Sequence, residues 1–211
     1  MNFVNIKIES YCIANSMEVP DYLIALERET NLTQTMPQML SGRLQGRILS
    51  MFSRLIKPDR ILEIGTFTGY SALCLAEGLK TGGELITVEY DTSLRYIIEK
   101  YMTLSGLNDK INVVYDDAKK VLDTLTGMFD IVFLDAFKED YIHYYEKVIP
   151  MLKSGGLIIA DNVLWSGKVL EETKDSSAIA IKKFNKHVKN DERVENVIIP
   201  VRDGLSIIRK K

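Results

Sequence analysis

The sequence predicts an α/β fold: a doubly wound, mostly parallel sheet of seven strands, with helices on both faces and one antiparallel strand. Two observations carry this. From Arg60 onward, short apolar runs alternate with helical segments, the pattern of a parallel sheet whose right-handed crossovers cover both faces. The last two apolar runs, VENVIIPV and DGLSIIRK, have no helix between them. They must form a hairpin, so one strand near the edge runs against the rest.

The elements follow in chain order. Residues 1–57 read as helical. Pro20 suits a helix's first turn, with the periodic run DYLIALERE after it. Leu40, Leu44, Ile48, Phe52 and Leu55 recur at helical steps and make one face, which Pro58 ends. RILEIG is then a strand, YSALCLAEGLK a helix, Gly82-Gly83 a turn and ELITVEY a second strand. SLRYIIEKYMTLSG is a helix closed by Gly106, INVVY a third strand, and a short helix follows near 117–125. FDIVFLD, the helix DYIHYYEKVIPML, the strand GGLIIADN and a helix over 176–190 lead to the hairpin. Seven strands are expected, with helices between them and before Pro58. No repeat or Gly/Ser/Pro-rich linker divides the 211 residues. One domain is expected over 1–211, with 1–57 as an N-terminal helical cover and 58–211 as the core.

Composition removes several classes. Cys12 and Cys74 lie far apart, and His143 and His187 are equally isolated, so neither a zinc finger nor a disulfide framework is expected. Any metal would be held mostly by oxygen. No apolar run approaches a membrane span, and MNFVNIKIESYC lacks the basic and apolar regions of a secretory signal. A cytoplasmic protein is expected. The net charge is −2, yet residues 181–211 hold nine Lys/Arg against four Asp/Glu. That excess reads as a solvated helix face, with weak contact to an anionic substrate as the alternative.

The chemistry gathers at strand ends, since ligands of doubly wound sheets bind at the carboxyl rim where the strand order reverses. The first strand ends there in Glu63-Ile-Gly65-Thr66-Phe-Thr-Gly69-Tyr-Ser71. Glycines let a backbone approach a ligand, and Ser71 offers a hydroxyl to an anion. The G-x-x-x-G spacing departs from the dinucleotide fingerprint, which disfavours a nicotinamide-dependent dehydrogenase. Glu89 ends the second strand, where a carboxylate accepts hydrogen bonds from ribose hydroxyls. Asp117 and Ala118 follow the third strand, where an adenine edge could meet them. The fourth strand brings Asp135 and Lys138 to the rim and the fifth brings Asp161 and Asn162. Adjacent strands lie about 4.8 Å apart, so three oxygen-bearing side chains can converge. Two carboxylates and an amide suit Mg²⁺, Mn²⁺ or Ca²⁺. Paired acid/base chemistry of the glycosidase kind fits Asn162 and Lys138 less well.

Four stretches carry a family resemblance over nearly the whole chain: LEIGTFTGYSALCLAEGL, FDIVFLDAFKEDY, GGLIIADNVLWSGKV and IIPVRDGLSIIRK. The sequence resembles the metal-dependent class I S-adenosylmethionine O-methyltransferases, the caffeoyl-CoA and catechol O-methyltransferase-like group, and QMLSGRLQGRILSMFSRLI resembles their cofactor-covering helix. The resemblance implies a Rossmann-like core and a homodimer. It implies cofactor contacts at Glu63, Gly65 and Thr66, a methionine-carboxylate contact at Ser71, a ribose contact at Glu89 and an adenine contact at Ala118. Met39 and Ser41 match the covering segment. Asp135, Asp161 and Asn162 match the metal ligands, with Asp135 also beside the cofactor. Plant members read DADK where this chain reads DAFK, so Phe137 replaces an acid near the cofactor, a departure that bears on acceptor choice and not on the metal triad.

A neutral hydroxyl attacks a sulfonium methyl poorly, and a divalent cation on that oxygen lowers its pKa. Three protein oxygens leave room in an octahedral shell for two vicinal substrate oxygens and a water, which favours a catechol-like acceptor. Lys138 is the candidate general base or oxyanion partner. Trp165 and Tyr141 either wall an aromatic acceptor or pack in the core. Two further readings stay open. One is a methyltransferase for hydroxyuridine in tRNA, using the basic tail. The other is an adenosine-binding module without catalysis.

Overall fold

The computed structural model describes residues 5–211. Seven strands form one sheet: β1 (Arg60–Ile64), β2 (Glu84–Glu89), β3 (Ile111–Tyr115), β4 (Phe129–Leu134), β5 (Leu152–Ala160), β6 (Val194–Ile199) and β7 (Leu205–Lys210). Their order is β3-β2-β1-β4-β5-β7-β6. Strands β1 to β5 pair in parallel, and β7 is antiparallel to both β5 and β6. The hairpin therefore folds with its second strand inward, leaving β6 at the edge. The chain runs outward from β1 to β3 and then crosses back to β4. The strand order thus reverses between β1 and β4, where Glu63 pairs with Phe133 and Ile64 with Leu134.

Successive residues of a strand point to opposite faces, and here both faces are buried. Ile61, Leu85, Ile131, Phe133 and Ile159 pack on one side with Leu49, Leu73 and Ile98. Leu62, Ile64, Val132, Leu134 and Ile158 pack on the other with Leu122, Val148 and Phe184. This is why the strands read as apolar runs.

Among the described residues there are eight α-helices, α1 being one that the sequence pattern does not separate: α1 (Ile6–Ala14), α2 (Asp21–Thr33), α3 (Gly42–Ile56), α4 (Tyr70–Ala76), α5 (Arg95–Ser105), α6 (Ala118–Thr124), α7 (Tyr141–Val148) and α8 (Ser176–Lys189). The region before Pro58 breaks into three. No residue of α1 is buried, so it carries no apolar stripe to read. The strong face of α3 seats it against α4, where the Ser53 hydroxyl donates to the Leu75 carbonyl at 2.5 Å. Lys57 then takes a left-handed conformation and Pro58 prevents continuation. α2 reaches the turn after β1, where the Thr30 hydroxyl donates to Thr68 at 3.0 Å. No helix among the described residues is long and apolar enough to cross a membrane.

Candidate active site

The point where the strand order reverses is built on Gly65. Its N–H donates to the Val88 carbonyl at 3.0 Å, and its φ is +99°. A Cβ at this position would lie 1.9 Å from the Asp135 carbonyl oxygen. Only glycine lets the turn leaving β1 lie against the chain leaving β4. Gly69, at φ +93°, then caps α4, whose first turn carries the buried Ser71.

Inside this turn Glu63 is fully buried. Thr66 donates to Thr87 at 2.5 Å, and Thr87 donates to Glu63 Oε2 at 2.5 Å. The Oε1 atom has no partner. Burial pushes the Glu63 carboxyl up to about 8, with Ser71 and then Thr87 working against it. Glu89 sits at the next strand end. Its Oε2 accepts from the Phe67 N–H at 2.7 Å and its Oε1 from the Asp91 N–H at 2.8 Å. Burial raises its pKa, and those backbone donors oppose the rise. Asp117 accepts from the Lys119 N–H at 2.7 Å and so caps α6, with Ala118 half-buried beside it.

On the β4–β5 side the register pairs Leu134 with Ala160, so Asp135 and Asp161 leave neighbouring strands at the same height. The Asp161 N–H donates to the Leu134 carbonyl at 2.9 Å. Burial and the neighbouring Asp135 carboxylate push the Asp161 carboxyl up. Its Oδ1 accepts from the Asn162 N–H at 2.7 Å, and its Oδ2 accepts from Gln45 Nε2 at 2.5 Å. Asn162 has a φ of +57°, a left-handed value that asparagine tolerates. The buried Lys138 ammonium donates to Asp135 Oδ1 at 2.8 Å and to the Tyr141 hydroxyl at 2.7 Å. Burial opposes its charge, but Asp135 above all outweighs that and holds the ammonium above the ordinary lysine value. Lys138 in the resting protein is therefore a hydrogen-bond donor.

Met39 and Ser41 lie at the entrance to α3, Met39 exposed and Ser41 buried. Arg202, on the β6–β7 turn, donates to the carbonyls of Gln38, Leu40 and Ser41. The rim thus gathers Glu63, Gly65, Thr66, Ser71, Glu89, Asp135, Lys138, Asp161 and Asn162. Gln45, Thr87 and Arg202 join it unforeseen; each acts across a tertiary contact that no local pattern marks. Tyr141 is core, not an acceptor wall: it is fully buried, and its hydroxyl lies 3.0 Å from the Leu134 and Asp161 carbonyls. Trp165 is half-buried and donates to Asp175 at 3.2 Å. His143 is exposed on α7.

Much of the basic tail is engaged internally. Arg193 pairs with Glu146 at 2.9 Å and Asp191 at 2.6 Å, and Lys210 donates to the Ile149 and Leu152 carbonyls. The Arg193 guanidinium also donates to two members of the cluster of Glu146, His187 and Asp191.

Comparison with known proteins places nearly the whole chain. An O-methyltransferase family model matches residues 13–211. A caffeoyl-CoA O-methyltransferase of Populus kitakamiensis is 35% identical over 178 residues, covering 79% of this chain and 76% of the relative. A catechol O-methyltransferase of Niastella koreensis is 32% identical, covering 78% of this chain and 76% of the relative. The crystal structure of an SAH-bound methyltransferase from Podospora anserina superposes with a TM-score of 0.90 at 31% identity, covering 98% of this chain and 94% of that one. A family match over residues 13–211 identifies the chain as a member of the O-methyltransferase family.

Proposed function

We propose that this O-methyltransferase moves a methyl group from S-adenosylmethionine to one hydroxyl of a small aromatic acceptor with two vicinal oxygens, assisted by a divalent cation, Mg²⁺ first and Mn²⁺ or Ca²⁺ as alternatives. The observation that carries the reading is the pairing of Asp135 with Asp161 on neighbouring strand ends, beside the pocket of Glu63 and Glu89. The residues fit such a cation. Their donors are hard oxygens, and the Asp161 carboxyl is raised by burial and then by the Asp135 charge, a repulsion that a cation relieves. The SAH-bound Podospora structure supports the cofactor, and the caffeoyl-CoA and catechol relatives support the acceptor class.

When bound, the cation on Asp135, Asp161 and Asn162 lowers the pKa of the acceptor hydroxyl, and S-adenosylmethionine supplies an electrophilic methyl group. The rest falls to the chain. Glu89, fixed by two backbone donors, accepts from the ribose hydroxyls. The unpartnered Glu63 Oε1 is an acceptor that the cofactor's ammonium satisfies, and Ser71 donates to its carboxylate. Gly65 and Thr66 line the approach, Asp117 and Ala118 border the adenine, and Met39 and Ser41 cover it. Of the three Lys138 N–H groups, two are held by Asp135 and Tyr141; the third is offered to the acceptor oxygen. Lys138 acts here as an oxyanion partner. Phe137, 70% exposed, and Trp165 present aromatic surface to the acceptor ring. Holding oxygen and methyl in line supplies rate by proximity.

Isothermal titration with S-adenosylmethionine, with and without Mg²⁺, tests the cofactor half. Saturable binding is expected; absence of binding under both conditions would sink the proposal.

A further inference from the structure

We propose that Arg202 is a positioning residue for the cofactor pocket: it latches the segment that carries Met39 and Ser41 onto the β6–β7 turn. The inference rests on the cofactor reading above for what the latch retains, and on geometry alone for the latch itself. Its Nη1 donates to the Leu40 carbonyl at 2.6 Å and to the Ser41 carbonyl, and its Nη2 donates to the Gln38 carbonyl at 3.2 Å. One guanidinium therefore holds three carbonyls of the stretch between α2 and α3. The segment leans on that anchor, because it is a single short helical turn, Pro37–Met39, with Met36 and Met39 about half exposed.

The turn that carries Arg202 is itself held firmly. Arg202 takes a φ of +49°, an uncommon value for a residue with a side chain. The Gly204 N–H donates to the Val201 carbonyl at 2.8 Å. The Gly204 and Asp203 carbonyls accept from the N–H groups of Val163 and Leu164, and Asp203 Oδ1 accepts from the Ser166 N–H. The same four residues thus hold the segment before α3 through Arg202 and the chain just past Asp161 and Asn162 through Asp203 and Gly204. Both walls of the site hang on one turn, but by different groups: the segment before α3 by the Arg202 side chain, the chain past Asn162 by the Asp203 and Gly204 carbonyls and the Asp203 carboxylate.

A ligand that needs the segment closed binds with an apparent affinity reduced by the fraction of molecules in which it is open. Removing Arg202 takes away three charge-assisted bonds and shifts that balance. The bound atoms keep their own contacts, so the loss falls on the cofactor before it falls on the acceptor.

The test uses Arg202→Ala and Arg202→Lys in the full chain, with Asp203→Ala as the contrast. Chymotrypsin cleavage after Met39 or Leu40, without cofactor, reads the latch directly. Affinity for S-adenosylhomocysteine by titration reads its consequence. Arg202→Ala is expected to be cut faster between 36 and 41, to bind S-adenosylhomocysteine about tenfold more weakly, and to raise KM for S-adenosylmethionine more than KM for the acceptor. Arg202→Lys, which keeps the charge and part of the bonding, falls between it and the unaltered protein. Asp203→Ala keeps the slow cleavage at 36–41. Unchanged cleavage and unchanged affinity in Arg202→Ala would overturn the proposal, as would equal cleavage in Arg202→Ala and Asp203→Ala. If the unaltered protein binds no S-adenosylhomocysteine, the cofactor reading fails, and the cleavage comparison still decides the latch.

Discussion

Glu77 is the residue on which the packing of α3 against α4 is most exposed to a single change. Its carboxylate, at the end of α4, accepts from Arg47 Nη2 at 2.7 Å and Nη1 at 3.0 Å, from Ser50 at 2.5 Å and from Arg54 at 3.0 Å. Both Glu77 and Arg47 side chains are only 6% exposed. Replacing Glu77 with Ala leaves the guanidinium buried without its partner, a loss of about 3–5 kcal/mol for a buried pair broken on one side. A domain of this size shifts by about 2–4 °C per kcal/mol, so thermal unfolding should move down by about 6–20 °C. Changing both residues together, Arg47→Met with Glu77→Leu, should restore most of the loss, because no uncompensated charge remains. The pH dependence has a definite sign. Burial raises the Glu77 pKa, but the Arg47 and Ser50 bonds outweigh it and hold it below the ordinary glutamate value. A depressed folded pKa means that the stabilisation is present above the unfolded value and is lost as pH falls below it. Calorimetry at neutral pH and near pH 3 should therefore show the gap between Glu77→Ala and the unaltered protein narrowing in acid. A Glu77→Ala protein that melts within 2 °C of the original at neutral pH would refute the argument.

Three further changes probe the rim. Gly65→Ala places a Cβ 1.9 Å from the Asp135 carbonyl oxygen at φ +99°, so it should cost about 2–5 kcal/mol of stability and abolish cofactor binding; melting and titration check this, and a stable, binding-competent variant would contradict it. Glu89→Ala removes the proposed ribose acceptor and strands the Phe67 and Asp91 N–H groups, so cofactor affinity should weaken about ten- to a hundredfold. Tyr141→Phe removes one of the two side-chain partners of the Lys138 ammonium, so steady-state kinetics should show kcat falling with KM for S-adenosylmethionine unchanged; a change confined to KM would count against the role given to Lys138.

The sheet was legible because its central strands are buried on both faces and so write themselves as apolar runs such as FDIVFLD. The rim followed from it. Once β4 and β5 are neighbours, Asp135 and Asp161 must stand side by side, and the register of Leu134 with Ala160 puts them there. The helix that the pattern does not separate is the one where burial is absent, since α1 packs no residue into the core. β5 begins at Leu152, ahead of the Gly-Gly where the sequence pattern starts the strand: Phe129 pairs with Leu152, and the ladder resumes past a register shift at Ile131. What local patterns do not encode are partners brought together by the fold. Gln45 meets Asp161 across 116 positions. Arg202 reads as one more cation of a basic tail, yet it holds carbonyls some 160 positions earlier. Tyr141, an aromatic near a candidate site, is core because its hydroxyl finds Lys138 inside the protein. In each case a polar tip is decided by a partner distant in sequence.

The central claim is that a hard cation on Asp135, Asp161 and Asn162 drives methyl transfer to a vicinal dihydroxy acceptor. The direct measurement follows labelled methyl from S-adenosylmethionine into a catechol, with Mg²⁺ or with a chelator, for the unaltered protein and for Asp161→Ala. The account predicts transfer with Mg²⁺, its loss on chelation, and its loss in an Asp161→Ala protein that still binds S-adenosylhomocysteine. Equal transfer in chelator, or full activity in Asp161→Ala, would contradict it.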